Sequence, residues 1–187
     1  MSYVSPIQDL LREERLPALG PGTPAATFRK TLAAHTLDTA FAPAKVVHRD
    51  SAQACMAGLW LYFDFFDESH AISQDLHTVE GSYWHGILHR REPDYSNAKY
   101  WFRRVGNHPV FEPLRQAAAE LTRAASVPRG TKFVVEQTAW DPFAFVDLCE
   151  AASHGKADEL LCRKIQQREW ELLFEYCYRQ AMGSSLP

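Results

Sequence analysis

Two histidines and a glutamate, His85, His89 and Glu92, follow the pattern H-x-x-x-H-x-x-E. On an α-helix that spacing puts them on one face. Imidazole nitrogens and a carboxylate oxygen are borderline and hard ligands, so His85, His89 and Glu92 could hold a divalent transition metal such as zinc or iron. The pattern differs from H-E-x-x-H, which places a general base between its histidines, and from the paired E-x-x-H of di-iron helix bundles. A second stripe, Asp67, His70, Gln74 and His77, recurs at spacings of three, four and three. If a short turn over Thr78 to Gly81 made these helices antiparallel neighbours, the stripes would converge on one pocket. His70, His77 and Glu92 would then be acid/base groups and Gln74 an amide partner, while the small Gly81 and Ser82 would leave room for a ligand or another backbone. The same residues could equally form a metal-free ligand pocket, or a structural network in which carboxylates satisfy the histidines.

Five of the eight histidines fall between His70 and His108, and arginines accompany them. Arg90 and Arg103 could clamp an anionic small molecule, because guanidinium pairs bidentately with carboxylate or phosphate. The competing reading has them bridge helices by pairing with Glu92, Asp94 or Glu112. Tyr95 and Asn97 could orient a ligand from the turn between helices, and His108 could sit at an anion-binding helix start before Pro109. Aromatic residues such as Trp84, Trp101 and Phe102 would wall the pocket or fill the core. Glycine-rich phosphate loops and G-x-S-x-G are absent from the sequence, which removes nucleotide-binding and serine-hydrolase readings. The segment from Gly81 to Pro109, GSYWHGILHRREPDYSNAKYWFRRVGNHP, resembles a family of uncharacterised proteins. The resemblance spans at most residues 67–111; it implies no activity and marks the same region.

The elements that must position these groups read as helices. Ser5-Pro6 and Thr23-Pro24 suggest two short N-terminal helices, because proline suits the first helical turn. Ser51 to Phe63 is apolar all round, as a helix buried on most sides would be. Ser96, Asn107 and Asp141-Pro142 read as further helix starts, Gly106 and Gly155 as stops, and Ala157 to Met182 as a long final helix. Lys132 to Glu136 alone has strand composition, and a lone strand leaves its edges unpaired. Pro17 to Pro24 and Val127 to Gly130 read as loops. The expectation is therefore a single all-α domain, residues 1–187, of about seven or eight helices, with residues 1–22 as a peripheral arm. Around Trp84 and Phe102 it would contain one helical hairpin of tetratricopeptide-like shape and no repeat array.

Composition bounds the function. The 187 residues are 46% hydrophobic and 23% charged, with net charge −3, an ordinary folded domain with no polyanion-binding bias. Nucleic acid is thus an unfavoured partner. The apolar run 51–63 is shorter than the roughly 18 residues of a membrane span, and the N-terminus lacks a secretory pattern, so a cytoplasmic address is the default. The four cysteines form no C-x-x-C and read as reduced, buried thiols. Trp170, Phe174 and Tyr178 recur at spacing four and could form a homodimer seam or pack in the core. Two functions remain: a small-molecule-binding protein or enzyme using the His/Glu/Arg pocket, with or without a metal, and a helical protein-interaction module with a structural His/Arg network.

Overall fold

A computed structural model of the chain describes residues 3–125 and 130–184. Among these, 68% of the chain is helical, no strand occurs, and eleven helices form, eight of them seven residues or longer. They are α1 (Ser5–Leu10), α2 (Ala26–Ala34), α3 (Leu37–Ala40), α4 (Arg49–Tyr62), α5 (Phe66–Asp75) and α6 (Val79–Arg91). After these come α7 (Tyr95–Val105), α8 (Phe111–Ala124), α9 (Lys132–Glu136), α10 (Pro142–Ser153) and α11 (Glu159–Ala181). The all-α expectation is met, and the eight longer helices agree with the seven or eight expected, three short ones adding to them. The strand-like segment Lys132 to Glu136 is the helix α9, because only Val134 of it is buried and no neighbouring strand exists among the described residues. Most of the loop expected at Val127 to Gly130 lies outside the described residues.

Side-chain caps explain several helix starts. Thr78 accepts from the Gly81 N–H, Asp94 from Asn97, Asp141 from Phe143 and Ala144, and Asp158 from Leu161. Each carboxylate or hydroxyl satisfies N–H groups that have no partner within their helix. Asp94, one residue before α7, takes the capping role expected of Ser96, and α8 begins at Phe111, past Pro109. Gly106 ends α7 with a φ of 62°, in the left-handed region that only glycine enters freely.

Helix α4 is the centre. Ten of its fourteen residues are buried, and α11, α5 and α6 pack around it. Gly58 makes this close approach possible: a Cβ there would meet the Trp84 ring of α6 at 2.7 Å, and its carbonyl accepts the Trp170 indole N–H at 2.8 Å. One contiguous core runs through all these helices. Trp170 and Phe174 lie inside it, 7% and 0% exposed, and the Tyr178 hydroxyl accepts the Val4 N–H. The proposed seam is therefore spent on packing within the chain. Trp101, expected in the core, is only half-buried.

Two charged pairs, Arg90–Glu169 and Arg91–Asp64, are buried with the apolar side chains. Arg91 donates to Asp64 at 2.5 Å and to the carbonyls of Leu61, Ala18 and Gly20, while Arg15 also reaches Asp64 at 3.1 Å. Together with Gln166 on Ala18 and Arg163 on Pro17, they strap residues 15–20 across the helices. The four cysteines are free and buried. No described helix is long and apolar enough to cross a membrane.

Candidate functional site

The short connection between α5 and α6, Leu76 to Thr78, makes these helices neighbours, and α7 packs closely on α6. At the junction of the three helices stand His70 from α5 and His85 and His89 from α6. One ring nitrogen from each lies within 4.8 Å of the others. The His70 ring meets His85 edge-on at 4.5 Å and His89 at 5.6 Å, whereas His85 and His89 stack at 4.7 Å. Trp101 of α7 covers the other face of His85 at 3.9 Å, nearly parallel. His85 is thus held between two rings and is 1% exposed.

The surroundings of each imidazole set its chemistry. Burial pushes the His85 pKa down to about 3, and His89 and His70 add to the shift, because a cation there would be both desolvated and beside two bases that can also charge. Interaction with the Ser73 backbone opposes this only in part. Burial also lowers His89, against the pull of Glu92. Glu92, the C-cap of α6, sets its Oε2 3.0 Å from His89 Nδ1, and the Asn97 amide nitrogen lies 3.1 Å from His89 Nε2. The carboxylate favours a proton on Nδ1, which leaves Nε2 to accept from Asn97. Both buried histidines are neutral near pH 7, so each keeps a ring lone pair free of a proton.

Beside the junction opens a cleft of about 560 Å³, walled by Pro21, Gly22, Phe66, Asp67, Glu92 and Asp94, among others. Glu92 belongs to both. The Asn97 N–H holds the Asp94 carboxyl below its usual range. Arg29 is the cationic side chain of the cleft wall, and it pairs with Glu68 at 2.5 Å above the Phe65 ring.

Of the residues expected at one pocket, His70, His85, His89, Glu92 and Asn97 are brought together. The others are not. Helix α5 stops at Asp75 and Leu76 turns inward, 6% exposed, which takes His77 off the second stripe and leaves it exposed; Gln74, still on α5, is exposed as well. The space at Gly81 belongs to another backbone, since a Cβ there would stand 2.2 Å from the Leu76 carbonyl oxygen. Arg90 points into the core, 1% exposed, and pairs at 2.5 Å with Glu169 of α11, whose other oxygen accepts the Tyr83 hydroxyl at 3.2 Å. Arg103 is exposed, 6.0 Å from the Phe143 ring. Tyr95 shares a hydrogen bond with Ser153 of α10 at 3.0 Å. His108 is buried elsewhere: its Nδ1 accepts the Val110 N–H and its Nε2 faces Glu80 at 3.8 Å. That carboxylate, held low by His108, makes the helix start a poor place for an anion.

Glu169 was not singled out by sequence reasoning. Its signal was its position, four residues from both Ile165 and Leu173 on the apolar face of α11, where a carboxylate must find a buried partner. Comparison of the chain with protein-family models, curated proteins and solved structures returns no match.

Proposed function

We propose that the junction of α5, α6 and α7 is the site of a small-molecule-binding protein or enzyme, with His70 and His89 as proton-accepting groups and Glu92 orienting His89. The observation that carries this reading is the convergence of three imidazoles, two of them held neutral by burial, next to a cleft. A neutral imidazole whose second nitrogen is fixed by a carboxylate is the arrangement a general base needs. The charge of the cleft disfavours the anion expected from the arginines: Arg90 is committed to Glu169, whereas Asp67, Glu92 and Asp94 face the opening. A neutral or cationic ligand fits better.

The test is a fragment screen read by the ring signals of His70, His85 and His89 in NMR. Fragments that move these signals, and lose their effect in Glu92→Ala, support the reading; ring signals unmoved by any fragment overturn it. A second reading, an interaction module with a structural His/Arg network, draws on a separate observation. The pairs Arg90–Glu169 and Arg91–Asp64 are buried and structural, and an apolar groove of about 460 Å³ runs past Leu32, Met56, Trp60 and Ile72. On that reading fragments collect in the groove, and His85→Gln with His89→Gln lowers stability without changing what the groove captures.

A further inference from the structure

We infer that His70, His85 and His89 form a site for one divalent transition-metal ion of the zinc class, held by three imidazoles with Glu92 behind His89. The inference concerns the junction proposed above as a ligand site and rests on that reading of its place; with the ion bound, His70 and His89 would act as ligands in place of proton acceptors. The ligand set also differs from the one spacing suggests: His70, from the neighbouring helix, takes the place that the sequence motif gives to Glu92.

Geometry supports this set. Around a tetrahedral ion at 2.0–2.1 Å, ligand nitrogens lie about 3.3–3.4 Å apart. The three nitrogens here lie within 4.8 Å of one another, a gap that side-chain torsions can close without moving a helix. Two ligands come from one helix a turn apart and the third from its neighbour, so an ion would tie α5 to α6.

The unsatisfied hydrogen-bonding capacity points the same way. A buried histidine of purely structural role has both ring nitrogens matched by donors or acceptors. His85 is 1% exposed, and its buried Nδ1 has no hydrogen-bond partner. Carboxylates do not fill the gap, because Glu92 is turned to His89. Around His89 a carboxylate stands where outer partners of metal-bound imidazoles stand: Glu92 Oε2 is 3.0 Å from Nδ1, close enough to orient the ring, and this Nδ1 too is buried without a well-aligned hydrogen bond. The other nitrogen meets only the neutral Asn97 amide, on the half-buried first turn of α7, which an ion would displace.

An all-nitrogen set suits zinc, cobalt(II) or iron(II) far better than calcium or magnesium, which prefer oxygen. With three protein ligands, a fourth position stays open for water or a substrate atom.

The experiment takes the full chain, prepared without a histidine tag and stripped with chelator, and adds cobalt(II) or zinc chloride alone. Visible spectra, equilibrium dialysis and far-ultraviolet circular dichroism are recorded on the same samples. Wild-type protein should bind one equivalent and show cobalt d–d bands of four- or five-coordinate type. His70→Ala and His89→Gln should lose the bands while keeping helical circular dichroism. Glu92→Gln, an exposed position whose change leaves the fold intact, should bind about 10–100-fold more weakly, and His154→Ala should bind as wild type. Folded wild-type protein that shows no bands and retains no zinc overturns the inference, as does undiminished binding by His70→Ala, His89→Gln and Glu92→Gln. If metal fails while fragments still move the histidine ring signals, the metal alone falls. If zinc binds stoichiometrically while no fragment does, the metal stands as a structural ion and the small-molecule reading falls.

Discussion

At the scale of single residues, the pH response of the chain turns on His85 and His89. Both have their pKa lowered by burial in the folded state, His85 to about 3, whereas an unfolded histidine titrates near 6.5. Their contribution to stability is therefore fully present above about pH 6.5 and is lost as pH falls below it, where the unfolded chain takes up protons that the folded junction resists. We expect the melting temperature to hold from pH 7.5 to about pH 6.5 and to fall from there to pH 5. A flat profile over that range would mean that the imidazoles titrate as solvated groups. The stacking of Trp101 on His85 gives a companion test: Trp101→Leu should cost about 0.5–1.5 kcal/mol beyond lost burial and should make His85 more basic by opening it to water, measurable as an upward shift in its NMR titration.

Elements hold this site through close approach and capping. Gly58 lets α4 and α6 meet, and the ring it touches belongs to Trp84, 0% exposed and unable to swing away. Gly58→Ala should accordingly lower stability by about 1–3 kcal/mol, as overpacking does, in urea unfolding. Asp158 illustrates the capping side: its carboxylate receives the Leu161 N–H at the start of α11, so Asp158→Ala should cost about 0.5–2 kcal/mol. An effect of Asp158→Ala as large as that of Gly58→Ala would assign it a role beyond capping. The connection between α5 and α6 shows how element geometry overrides periodicity. Spacing carries the polar stripe from Asp67 on to His77, but the helix ends at Asp75 and Leu76 turns inward.

For the molecule as a whole, the buried pair Arg90–Glu169 locks helices distant in sequence, while Arg91–Asp64 ties α6 to the turn between α4 and α5. Arg90 and Glu169 lie 79 positions apart, and both side chains are fully buried. Removing one charge strands the other, so Glu169→Leu should destabilise by about 3–5 kcal/mol, while replacing both by apolar residues should recover much of that loss. A double-mutant cycle in urea checks it. A double variant as unstable as the sum of the single ones would show that the pair does not act as a unit.

Fold class, most helices and the histidine spacing of the candidate site are legible in the sequence. Those are local properties: the 3.6-residue pattern, capping residues such as Asp141 and Asp158, and a histidine spacing that holds for any helix containing His85 and His89. Even the burial of Trp170 and Phe174 left open which surface they covered, the core of their own chain or that of a second copy, since an apolar stripe does not name its partner. Packing alone brings His70 to His85 and His89 and leaves His77 out, commits Arg90 to Glu169, and gives the space at Gly81 to a backbone. Each of these depends on where a helix stops and on how neighbouring helices are set against each other. Those outcomes come from packing the whole core at once, and no spacing within one segment encodes them.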